Sequence, residues 1–204
     1  LLLILITISP LCLFSYNHPE KFGKISIDDL KSKVCSMDSN AHAYFIFDFG
    51  ESHFKYADTN VYSDDPDGGK GFQLYFTRHY RIKILDSEGF SWANIEIPLY
   101  HDRNSEKLSS IKACTYNLEN NEIIATKINR KDIYTEETRK NWKTQKIAMP
   151  NVREGSIIEV EYTIISDFIF NLQQWYFQKT IPVLQSEYHV TIPEYFNYNQ
   201  TQKG

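Results

Sequence analysis

A chain of 204 residues, 42% hydrophobic and 15% aromatic, can bury one sizeable core and is short for several. Its 22 Lys and Arg are diluted among 26 Asp and Glu, and the net charge of -4 leaves no basic stripe to neutralise a phosphate backbone. Nucleic acid is therefore set aside as a partner.

Residues 1–14 form an uncharged apolar run ending at Ser15, the pattern of a secretory h-region and shorter than the about 20 apolar residues of a membrane span. The run lacks an initiator Met and a basic n-region. The expectation is a signal peptide over residues 1–15, truncated at its start, followed by one mature domain over residues 22–204, exported to the periplasm or cell surface. Membrane contact would come only through an uncleaved signal segment. Leu11 precedes Cys12 where a lipoprotein would carry a small residue. Export leaves Cys35 and Cys114, too few for a disulfide framework; they are read as free, partly buried thiols, although an oxidising compartment permits one bridge.

Ser26 can cap a short helix, with Asp29 at the reciprocal capping position. From Ala41 the period changes to two. Residues 43–49 alternate with Ala43, Phe45, Phe47 and Phe49 on one face, as in a half-buried strand, and residues 64–71 supply an acidic, Gly-rich loop. Residues 72–85 give the longest strand signal. Phe72, Leu74, Phe76, Tyr80, Ile82 and Ile84 lie on one side, with Arg78 the exception among them. Gln73, Thr77, His79, Arg81 and Lys83 form a polar side.

After a turn at residues 86–89, Ala93, Ile95, Ile97 and Leu99 alternate again. Strands are expected over 109–118 and 122–128, joined through Asn120 and Asn121, because Asn tolerates a left-handed turn. Others are expected over 142–149, over 157–164 with Ile158, Val160, Tyr162 and Ile164 opposite Glu159, Glu161 and Thr163, over 174–180 and over 186–192. Nine or ten strands and one short N-terminal helix predict an all-β fold, an antiparallel β-sandwich that is immunoglobulin-like or related.

The chemistry-bearing residues do not assemble into a catalytic set along the chain. Cys114 reads as strand interior, on the face of Tyr116 and Leu118, and not as the helix N-terminus that would lower a thiol pKa; only His189 follows it. The histidines at 18, 42, 53, 79, 101 and 189 lack zinc-site spacing, and His79 and His189 fall on polar strand faces. Residues 64–69 invite a calcium reading but lack the distal Glu of an EF-hand loop, and residues 68–71 lack Walker spacing. No G-x-S-x-G elbow occurs, and Glu159 and Glu161 sit side by side at i and i+2, not opposed as glycosidase chemistry requires. Trp175, Tyr176 and Phe177 alternate faces, so at least one large ring is expected to be exposed or covered by something else. The expectation is no enzyme, no cofactor and no metal.

Several ordered segments together carry a family resemblance: residues 76–85, Gly89 and Phe90, residues 93–98 and 113–117, residues 149–152 and 155–159, then Tyr162, Gln178 and residues 181–183. In these the chain resembles domain of unknown function 3857, over residues 22 to 200. The resemblance implies a β-rich domain of exported bacterial proteins, often of Bacteroidetes type, that precedes a transglutaminase-like domain. The Cys-His-Asp chemistry of such proteins belongs to that downstream domain, so none of it is carried onto residues here. The implied role is a non-catalytic accessory or interaction module partnering that domain; the alternative is a cell-surface glycan- or peptide-binding module.

Overall fold

The computed structural model describes residues 20–58, 69–102, 105–194 and 196. The expected signal peptide, Cys12 and most of the acidic loop lie outside the described residues. Among the described residues no helix is long and apolar enough to cross a membrane.

A short helix α1 (Ile27–Lys31) precedes nine strands: β1 (Ala43–Asp58), β2 (Lys70–Ile84), β3 (Asn94–Tyr100), β4 (Glu106–Glu119), β5 (Glu122–Lys127), β6 (Ile133–Arg139), β7 (Trp142–Ala148), β8 (Ile157–Ser166) and β9 (Ser186–Thr191). The Ser26 hydroxyl oxygen accepts from the Asp28 N–H and starts α1, as its capping residue predicts. Six strands form one sheet in the order β5-β4-β8-β2-β1-β9, and three form a second in the order β3-β7-β6. The result is an open, sandwich-like all-β fold.

Strand pairing is antiparallel except at the edge, where β9 runs parallel to β1. The β4–β5 hairpin turns through Asn120 (φ 49°) and Asn121 (φ 65°), both left-handed, in the two-residue geometry that suits the twist of paired strands. The main core lies between the sheets. Phe76, Tyr80, Ile82, Ile158, Val160 and Ile164 of the large sheet pack there with Ile95, Ile97, Leu99 and Ile147 of the small one.

Two expectations are corrected. Phe47 and Phe49 do not share a face with Ala43 and Phe45, because the β1–β2 register shifts between Phe45 and Phe47. This bulge adds one residue, so Phe45 enters the main core while Phe47 and Phe49 stack on the opposite face with centroids 4.7 Å apart. Residues 174–180 form no strand. They belong to a connector over residues 167–185 that meets β1 at a parallel Phe45–Val183 bridge and through the Gln185 carbonyl, which accepts from the Asp48 N–H at 2.9 Å. β6, which carried no expectation, escapes a period-two reading because most of its side chains are exposed and polar on both faces.

Candidate functional site

The polar side of β2 does not face solvent. Residues 20–33 fold back over the outer face of the large sheet, laying Phe22, Ile25 and Leu30 against Cys114, Tyr116 and Ile157. Beneath this strap His79, Arg81, Lys83 and Glu159 are buried, Glu159 and Lys83 at 0% exposure. His79, expected on a polar strand face, is hydrogen-bonded and buried there, and Glu159, which the alternation places beside Glu161 on the same face, is buried as well. Glu161, two residues along, does reach solvent and pairs with Lys112 at 2.7 Å.

Glu159 is the hub. Its Oε1 accepts from His79 Nε2 at 2.9 Å and Arg81 Nε at 2.9 Å, and its Oε2 accepts from the Gly23 N–H at 2.8 Å and the Tyr116 hydroxyl at 2.9 Å. Burial alone would raise this carboxyl, but the His79 hydrogen bond, the Arg81 charge and the Gly23 and Tyr116 donors outweigh it and hold it below its ordinary range. Arg81 also donates to Glu20 Oε2 at 3.2 Å and to the Lys21 carbonyl at 3.1 Å, and Phe22 stacks on His79 at 5.8 Å. Lys83 Nζ donates to the Leu30 and Gly155 carbonyls at 2.6 Å each, and burial lowers it to about 8.

Cys114 lies inside this layer, on the face of Tyr116 as expected, and forms no disulfide with Cys35. Burial raises its thiol above the ordinary value, the direction opposite to that of an activated nucleophile. His189 sits on the far edge strand beside Glu187 at 3.2 Å. Strands β8, β2 and β1 stand between it and β4, a separation on the order of 19 Å at ~4.8 Å per strand. Among the described residues no three His, Cys, Asp or Glu side chains converge as a metal set.

The inner face holds a second ionic group. The bulge in β1 turns Asp48 inward, where Arg78 donates to it twice, at 2.7 and 2.8 Å, and Lys179 of the connector approaches at 2.9 Å. Arg78, the exception on the apolar face, is thereby neutralised by a residue that uninterrupted alternation would place outside. Trp175 stacks on Tyr188 at 5.1 Å, donates to Ser186 Oγ at 3.2 Å and lies so close over Gly50 that a Cβ there would stand 2.5 Å from the ring. Tyr176 and Phe177 remain 58% and 55% exposed.

Next to the connector an open cleft of about 630 Å³ lies between β3, β7 and residues 168–176, with Tyr100, Trp142, Phe168 and Tyr176 on its walls. Sequence periodicity could not find it, because its rings come from elements distant along the chain. The signal was the density of aromatics alone.

No curated protein matches the chain. A crystal structure of a protein from Parabacteroides distasonis, provisionally assigned as a protease, superposes with a TM-score of 0.42 at 10% identity, over 62% of this chain and 23% of that one. The chain thus spans less than a quarter of that protein's length. The family model described as Domain of Unknown Function with solved-structure structure (DUF3857) matches residues 72–204, which takes in most of β2 and all of β3 through β9. The chain belongs to the DUF3857 family.

Proposed function

We propose that this domain is a non-catalytic accessory and interaction module of an exported bacterial protein, packing beside or positioning a downstream transglutaminase-like domain of the same polypeptide. One observation carries the proposal. The side chains with chemical potential, namely His79, Arg81, Lys83, Glu159, Tyr116 and Cys114, lie in one buried layer beneath the strap, and hydrogen bonds within the chain engage the charged ones. A reactive site needs its groups aimed at a space a substrate can enter, and this layer is closed by Phe22, Ile25 and Leu30. Its groups hold two faces of the fold together.

The test uses the full-length protein and its two parts expressed separately. The module should bind the transglutaminase-like domain, raise its unfolding temperature or alter its substrate access. If none of the three is seen at concentrations up to those of the tethered state, the proposal is wrong. Exposed aromatics around the cleft favour the second reading, a surface-ligand module.

A further inference from the structure

The aromatic cleft has a chemistry that narrows what could occupy it. Tyr100 meets Trp142 edge-on at 5.4 Å and Phe168 at 5.2 Å, so three rings form one braced wall. Glu106 ties the wall to the connector: its Oε2 accepts from the Tyr100 N–H at 2.8 Å and its Oε1 accepts from Gln173 Nε2 at 3.1 Å. Both oxygens of the one acid in the lining are therefore occupied, and no Lys or Arg lines the cleft. An anionic ligand would meet no counter-charge and would face the Glu106 carboxylate.

The remaining polar groups are amides. Asn171 and Gln174 line the cleft, and among the described residues neither side chain has a hydrogen-bond partner. Each amide offers donors and an acceptor at one site, which suits a hydroxyl that both donates and accepts. Aromatic faces suit the C–H faces of a ring that is apolar on its flat side and polar around its rim. The volume lies within the range of small-molecule sites.

We infer that this cleft binds a neutral saccharide chain, its sugar faces against Trp142 and Tyr176 and its hydroxyls against Asn171 and Gln174. This goes beyond the accessory role and is independent of it, since neither the strap nor a neighbouring domain enters the argument.

The test is affinity electrophoresis of the whole chain through gels containing soluble β-glucan, xylan, galactomannan or dextran, with alginate as the uronate-bearing counterpart and a proline-rich peptide in a parallel titration. At least one neutral polysaccharide should retard the protein more than alginate does. Trp142→Ala and Tyr176→Ala should each weaken that binding by about tenfold, the upper end of one aromatic contact. Gln174→Ala should weaken it as well, while Phe177→Ala, an exposed ring outside the lining, should leave it unchanged. Tyr176 and Gln174 are exposed, so their substitution tests the cleft without threatening the fold. The inference is overturned if no neutral polysaccharide binds, if alginate binds best, if only the peptide binds, or if Tyr176→Ala and Gln174→Ala bind like wild type. None of these results bears on association with a neighbouring domain.

Discussion

Glu159 and Glu161 sit two residues apart on one strand face, and removing each should have very different consequences. Glu159→Ala takes away the acceptor for His79, Arg81, Tyr116 and the Gly23 N–H in one step. Arg81 keeps its charge under the strap with Glu20 and the Lys21 carbonyl as its remaining hydrogen-bond partners. Removing one member of a buried pair costs about 3–5 kcal/mol, a large fraction of the about 5–15 kcal/mol that holds a typical domain together. Glu161→Ala removes a pair in which Lys112 is 62% exposed, and such a pair is worth about 0–1 kcal/mol. Urea unfolding followed by circular dichroism reads both as midpoint shifts at unchanged slope. The reasoning is refuted if Glu159→Ala costs less than about 1 kcal/mol, or no more than Glu161→Ala, because the layer would then be hydrated and the strap undocked.

Lys83 gives a pH test: its folded value of about 8 lies below its ordinary 10.5, so between these the unfolded chain binds more protons and the Lys83 contribution rises with pH. Burial raises Cys114 and Tyr116 in the opposite sense, so the comparison that isolates Lys83 is the wild-type urea midpoint at pH 8 and 9.5 against that of Lys83→Met, whose slope should be lower. On the acid side, Glu159 is held below its ordinary 4.5, so its contribution is complete above that value and lost as pH falls through the folded one. Glu159→Gln should flatten the acid limb of the stability profile. Gly50→Ala should lower the thermal midpoint by an amount equivalent to about 1–3 kcal/mol, because the new methyl group meets the Trp175 ring braced on Tyr188. At the β4–β5 turn, Asn121→Gly should be neutral or stabilising and Asn121→Val should cost about 1–2 kcal/mol, since only the valine resists the left-handed backbone.

Where side chains alternate without interruption, the sequence is readable. β2, β3, β4 and β8 fall close to their expected places because each has one face in the main core. The left-handed turn at Asn120 and Asn121 is equally legible, since its chemistry is local. Alternation could not reveal the single inserted residue of the β1 bulge, which moves Asp48 inward to meet Arg78. Nor could it show that the polar side of β2 is covered. That follows only when Phe22, Ile25 and Leu30 are seen to need a surface, and Phe47 and Phe49 provide apolar neighbours for the charged residues beside them. A row of His, Arg, Lys and Glu reads as solvated until a long-range cover makes it a buried network. The cleft is non-local in the same sense, being assembled from β3, β7 and the connector.

The central claim is that the ionic layer under the strap is structural, and the reactivity of Cys114 probes it from within. Peptide-resolved alkylation of the native protein by iodoacetamide at neutral pH should label Cys114 only as fast as the whole fold opens, at a rate that rises in step with urea. Rapid labelling of Cys114 in the folded state, slowed by His79→Ala while the fold persists, would show a thiol poised for chemistry and contradict the account.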